Sequence, residues 1–164
     1  MKILQYLFIS LSHQILKILP YRLIRLLSVP IGILYFLLTF RSSIKLFKRR
    51  KIFEKLKINY KPLIVKINYT RYWLETLWLT NKNFSKHITP HIEIENQEYV
   101  DKLKKQYPGL IFALPHLGNW EFAIPIGNSI KLNLLAVAEP LSNSYVLNWF
   151  KSLRESLGIE IIIG

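Results

Sequence analysis

The sequence predicts an α/β fold: a parallel-type sheet with helices on its faces, preceded by amphipathic N-terminal helices. Three observations carry this. From residue 88 onward, apolar β-type runs alternate with helix-type segments in a β-α-β-α-β order. Before that point the chain reads as helix throughout. With 51% apolar and 13% aromatic residues in 164, it has enough material for one packed domain. Residues 1–86 are expected to form a helical, basic, membrane-associating region, and residues 87–164 the first part of the α/β domain.

Residues 1 to 40 read as two helices broken at "LPY" (19 to 21), because proline disfavours helix in the residue before it. Residues 44 to 80 read as more helix, with a break near Pro62. Within it "VKINYTRYWLETLWL" places Ile67, Tyr72, Leu74, Trp78 and Leu79 near a helical period, a stripe that reads as core. "ITPHIEIE" (88 to 95) alternates like a strand, and "NQEYVDKLKKQY" is a short helix with Asn96 as N-cap. "PGLIFALP" (108 to 115) is a turn and then a buried strand. "GNWEFAIPIGNSI" is helical, with a kink expected at Pro125. "NLLAVAEP" (133 to 140) is the next buried strand. "SNSYVLNWFKSLRESLG" (142 to 158) is a helix with an apolar stripe of Val146, Trp149, Phe150 and Leu153 and with Gly158 just past its end. "IEIII" (159 to 163) is the last strand. A sheet rarely ends on an uncovered strand, so the expectation is a fragment lacking the C-terminal half of its domain.

Charge is unevenly placed. The net charge is +13, but residues 1 to 86 hold 17 Lys and Arg against two acids, a net of +15. The remainder holds 6 against 8, a net of −2. A basic half joined to a near-neutral half suggests an anionic partner for the first half only. Nucleic-acid binders interleave basic with polar residues and a few stacking aromatics. Here the basic groups flank the uncharged runs "ILQYLFISLSHQIL" (3 to 16) and "LLSVPIGILYFLLTF" (26 to 40), a pattern of membrane-interface segments. Anionic membrane lipid is the expected partner and nucleic acid is not. Runs of 14 and 15 residues fall short of the roughly 20 a spanning helix needs. Helices lying in one leaflet are expected, with a single tilted span over 23 to 40 or a buried hairpin as alternatives. The cluster "RSSIKLFKRRK" (41 to 51) should contribute most to binding. There is no cysteine, and the four histidines have no metal-ligand spacing, so no metal site is expected.

In a parallel sheet, ligands bind beyond the carboxyl ends of the strands. His116 stands two residues past "LIFAL", Glu121 on the helix that follows, and Glu139 just past "LLAVA". Three titratable groups thus collect on one rim. His116 and Glu121 cannot stack on one helical face, yet a histidine in the preceding turn can reach a first-turn carboxylate. Gly118 and Asn119 tighten that turn and offer backbone N–H groups to negative charge. Spacing alone leaves open a capping histidine with a surface glutamate.

"ALPHLGNWEFA" resembles the catalytic block of the bacterial lipid A biosynthesis acyltransferase superfamily, marked by H-x-x-x-x-D/E. "TRYWLETLWL" (70 to 79), "VAEPLSNSYVLNWFKSLRESLG" (137 to 158) and the basic N-terminus are similar to its phosphatidylinositol mannoside acyltransferase branch, in which aspartate is common where Glu121 stands. The resemblance implies a glycerolipid-acyltransferase-like fold, with His116 as general base and Glu121 as its orienting acid. Glu139 and Arg154 match family positions near the site. The backbone N–H groups around Gly118 and Asn119, or else Arg154, would supply donors to the tetrahedral oxyanion. Implied partners are acyl-CoA or acyl carrier protein as donor and a membrane glycolipid as acceptor, either a phosphatidylinositol mannoside or lipid A. No cofactor beyond acyl-CoA as co-substrate is implied. The implied location is the cytoplasmic face of the bacterial cell membrane.

Overall fold

The computed structural model describes residues 1–40, 55, 57 and 61–164. The basic cluster at 41 to 51 lies outside the described residues. Helix α1 spans Lys2–Leu16 and α2 spans Tyr21–Leu38. Pro20 is the N-cap of α2 in extended conformation, so the break falls where the proline requires it. Helix α3, Pro62–Trp78, starts with proline at its first position, where the missing N–H costs nothing.

Helices α2 and α3 pack against each other. The buried residues of α2 are Ile24, Ser28 and Gly32, four apart and so on one face. Gly32 sets the separation: a Cβ there would lie 2.6 Å from the Ile67 Cα. The core gathers Leu16, Ile24, Leu74, Leu77, Trp78, Leu79, Phe84 and Ile88. The end of α3 also satisfies the end of α1. Trp78 Nε1 donates to the Leu19 carbonyl at 2.8 Å, and Asn81 Nδ2 donates to the Lys17 carbonyl. These are carbonyls of the helix cap and of the connection that follows it, which have no helical partner.

A short helix α4, Phe84–His87, runs into a 3₁₀ turn, Thr89–His91. The strand expected over 88 to 95 does not form. Pro90 fixes its own φ and lacks a ladder donor, and Ile88 is drawn into the core. The alternating isoleucines therefore mark burial of one turn and not a pleat. Helix α5, Gln97–Gln106, follows with Asn96 as N-cap in the left-handed region, as read, though the Asn96 side chain makes no capping bond.

Residues 110 to 114 also depart from the expected strand: they carry no strand pairing among the described residues, and Ile111, Phe112 and Leu114 are exposed. An apolar run shows what would be buried against a neighbour, while the ladder partner is a non-local matter that the run does not encode. The chain continues through a 3₁₀ turn at Trp120–Phe122 into helix α6, Ala123–Ser129. Strand β1, Leu134–Ala138, and strand β2, Ile159–Ile163, pair in parallel with Leu134 opposite Ile159. Helix α7, Ser144–Ser156, connects them. Asn143 caps α7 by accepting from the Tyr145 and Val146 amides, and Gly158 closes it at φ +92°. The described fold is thus mostly helical with a small two-stranded parallel sheet, compatible with an α/β acyltransferase.

Helix α6 packs on β1 and α7 on β2, while Leu135, Val137 and Ile162 remain exposed on the strands. Helix α7 docks on α1 as well. Asn143 Nδ2 donates to the Lys2 carbonyl and to Gln5 Oε1, both at 2.9 Å, and the His13 ring meets Trp149 edge-on. The opposite side of α1 carries Leu4, Phe8, Leu11 and Ile15, spaced as one helical stripe and exposed. Helix α2 is long and apolar enough to cross a membrane by length and composition.

Candidate active site

The histidine sits on a tight turn. The Leu117 amide donates to the Pro115 carbonyl at 2.8 Å, a three-residue turn with His116 at its apex. Gly118 follows at φ +61°, the left-handed conformation that favours glycine. Asn119 then starts the 3₁₀ turn, its Oδ1 accepting from the Glu121 amide at 3.2 Å. This is a local capping role, written in the "GNW" tripeptide. The His116 ring is exposed and stands edge-on to Trp120, with centroids 4.3 Å apart. Trp120 in turn stacks on Tyr72 of α3 at 4.5 Å.

Glu121 turns the other way. It is 2% exposed, and Arg154 of α7 holds it by two bonds, Nε to Oε2 at 3.1 Å and Nη2 to Oε1 at 2.5 Å. The Tyr72 hydroxyl donates to Oε1 at 3.3 Å. A fork matched to a carboxylate in a low-dielectric setting is a strong pairing. The bonds to Glu121 push the Arg154 guanidinium further up, outweighing its burial. Burial first, and the Glu121 charge second, push the Tyr72 phenol well above its usual 10, so it stays protonated.

The structure therefore brings Glu121 and Arg154 together, while no hydrogen bond joins His116 to Glu121 among the described residues. Arg154 Nε and Nη2 both serve that carboxylate. Glu139 is exposed just past β1 and does not line the cleft that His116 faces.

That cleft, about 490 Å³, is lined by Asn68, Tyr69, Arg71, Tyr72 and Glu75 of α3 and by His116, Gly118, Asn119 and Trp120. Its size suits a small-molecule site. Glu75 is buried, accepting from the Tyr21 hydroxyl at 3.0 Å and from Asn119 Nδ2 at 3.3 Å. The α3 lining is not singled out by the sequence reading, because its aromatic neighbours read as core. The signal was present: Asn68, Arg71 or Tyr72, and Glu75 recur at i, i+3/i+4, i+7, a polar stripe on an otherwise apolar helix.

A histidine at a cleft mouth stands on a scaffold whose first helices leave leucines and a phenylalanine uncovered, a surface suited to contact with lipid. The chain belongs to the bacterial lipid A biosynthesis acyltransferase family, whose profile matches residues 2–163. Membership implies acyl transfer to a lipid and a role in lipid biosynthesis. Comparison with curated proteins and with solved structures returns no match.

Proposed function

We propose that this protein transfers a fatty acyl group from acyl-CoA or acyl carrier protein to a hydroxyl of a membrane glycolipid, with His116 as general base. The observation that supports this reading is the placement of His116 on an exposed turn at a cleft wide enough for a small-molecule group. A sugar hydroxyl is a poor nucleophile at neutral pH, whereas a neutral imidazole can accept its proton as it attacks. The hydroxyl oxygen bonds to the thioester carbonyl carbon, the carbon–sulfur bond breaks, and the imidazolium returns the proton to the departing thiolate. The backbone amides around Gly118 and Asn119 are the proposed donors to the tetrahedral oxyanion.

Glu121 is proposed to orient His116 after the imidazole rotates off the edge of Trp120, with Arg154 and Tyr72 holding the carboxylate in place. Phosphatidylinositol mannoside is the proposed acceptor, on the resemblance of residues 70 to 79 and 137 to 158. Lipid A is the alternative acceptor, favoured by the family's description. A second reading, a lipid-binding homologue without turnover, draws on the engagement of Glu121 by Arg154 in place of His116.

The proposed fold is of glycerolipid-acyltransferase type, a parallel-type sheet with helices on its faces, and the parallel pairing of β1 and β2 across α7 supports it. The proposed location is the cytoplasmic face of the cell membrane. Transfer of labelled palmitate from palmitoyl-CoA to mannosylated phosphatidylinositol and to lipid A precursor, in parallel, tests the function. Transfer to neither, by folded protein on liposomes, would favour the binding reading.

A further inference from the structure

We propose that Arg71 and Glu75 form a sugar-binding subsite in the His116 cleft and select the acceptor by its ring hydroxyls. The inference rests on the proposed transfer to a glycolipid and names the part of the acceptor that this cleft grips.

The argument starts from two unfinished polar groups on one helix. Arg71 and Glu75 are four apart on α3, a spacing at which opposite charges usually pair, and both line the cleft. No ion pair joins them among the described residues. The Arg71 Nε is buried without a hydrogen-bond partner among those residues. A buried donor left unmade is costly, so such a group points to a missing acceptor. Glu75 is buried and, among the described residues, receives neutral donors, one on each oxygen, from Tyr21 and Asn119. A carboxylate has about four acceptor positions, so Glu75 retains capacity for a further donor.

The ligand must therefore accept from Arg71 and donate to Glu75 within one cleft. A phosphate would satisfy Arg71 but meet the Glu75 charge with its own. An amine would do the reverse. Hydroxyl groups both donate and accept, and neighbouring hydroxyls on a sugar ring present both functions at once. The remaining wall is aromatic, with Tyr72 and Trp120 stacked beside the polar pair. Flat apolar faces with a few fixed polar groups are the lining a small-molecule site uses. Because His116 faces the same cleft, a ring held there would place one of its hydroxyls within reach of the base.

The test uses the full chain on liposomes and in solution. Glu75→Gln and Arg71→Met should each raise KM for the glycolipid acceptor about ten-fold or more, with KM for palmitoyl-CoA unchanged. Arg71→Lys should recover part of the loss. Saturation-transfer NMR should show methyl mannopyranoside binding to the native protein and to His116→Ala, and not to Glu75→Gln. If the palmitoyl-CoA KM rises instead, the subsite serves the donor's phosphates and the proposal is wrong. If the variants melt far below the native protein, the native chain still decides. There, methyl mannopyranoside should inhibit competitively against the acceptor, and a failure both to inhibit and to give a transfer signal overturns the proposal. Absence of acyl transfer by the native chain, with sugar binding retained, would refute the proposed activity and leave the subsite standing.

Discussion

Arg154 clamps Glu121 across 33 residues of sequence, with two donors on the two oxygens of a carboxylate that is 2% exposed. The pair ties α7 to the 3₁₀ turn that follows the His116 turn, so its first consequence is structural. Arg154→Met should leave Glu121 charged and buried. Removing one partner of a buried pair costs about 3–5 kcal/mol, and the partial exposure of Arg154 places this case near the lower end. The expected fall in Tm is about 6–10 °C. Arg154→Lys keeps the charge but loses the fork, and should fall in between. The double variant Glu121→Gln/Arg154→Met should recover part of the loss, since it leaves no buried charge unpaired. An additive double variant would show that the pairing is energetically idle.

Base and structural carboxylate should separate in a paired measurement. His116 is exposed, so His116→Ala should leave Tm unchanged while acyl transfer falls by about 10²–10⁴-fold. Glu121→Gln should lower both, because it removes a charge that Arg154 and Tyr72 are built around. Transfer from labelled palmitoyl-CoA and thermal melting on the same samples read both quantities. Normal turnover with a lowered Tm in His116→Ala would reduce His116 to a turn residue.

These two sites also show what the sequence could and could not reveal. The turn that carries His116 is local: Gly118 supplies the left-handed residue and Asn119 the cap, and both are legible in "GNW". The helices bounded by Pro20, Pro62, Asn143 and Gly158 are legible for the same reason, since caps and breakers act over a few residues. What failed was non-local. Residues 110 to 114 have strand composition but no ladder partner among the described residues, and the isoleucines around Pro90 alternate without pleating. Arg154 was placed near the site, yet its commitment to Glu121 comes from the packing of α7 and not from any spacing. Arg71 and Glu75 were hidden inside a helix whose tyrosines and tryptophans read as core.

Gly32 is the contact point of α2 and α3, and its replacement is predicted to force them apart. In Gly32→Ala the new Cβ would meet the Ile67 Cα at 2.6 Å and Cγ1 at 2.9 Å, where backbone cannot yield cheaply. Overpacking of this kind costs about 1–3 kcal/mol, more than the helix-propensity gain of alanine over glycine, about 1 kcal/mol, would offset at the upper end. Gly109→Ala is the control, because nothing lies within 4 Å of its Cβ position. Equal Tm values for the two variants would show that α2 and α3 are not held at this distance.

His13 should make the α1–α7 contact sensitive to acid. Its ring bonds the Thr80 hydroxyl at 2.7 Å and meets Trp149 edge-on, and burial first, then the Lys17 charge, lower its pKa below 6.5. The unfolded chain then binds this proton more readily than the folded one. Its contribution to stability is complete above about pH 6.5, declines as pH falls below it, and levels off below the folded pKa. His13→Gln should flatten that part of the Tm-against-pH curve. A native curve that is flat between neutral pH and pH 5 would mean the ring is not held as described.

The exposed stripe on α1 is predicted to enter the membrane, and its contribution should be separable from that of the basic residues. Leu4, Phe8, Leu11 and Ile15 are 68%, 73%, 63% and 51% exposed on one side of the helix, while the opposite side docks on α7 through Lys2, Gln5 and His13. Docking fixes the helix and leaves the stripe facing outward. Burial of a large apolar side chain contributes about 1.5–3 kcal/mol, so Phe8 and Leu11 together should be worth several kcal/mol of membrane affinity. That term does not respond to salt, whereas attraction of the basic residues 1 to 86 to anionic lipid is screened as ionic strength rises. Sedimentation with phosphatidylinositol liposomes at low and high salt therefore distinguishes them. Phe8→Gln/Leu11→Gln should bind partially at low salt and hardly at all at high salt, with Tm unchanged because neither side chain is in the core. The native protein should retain binding at high salt. If the double variant binds as well as the native chain under both conditions, the stripe does not contact lipid, and α2, which is long and apolar enough to cross the bilayer, becomes the anchor to test.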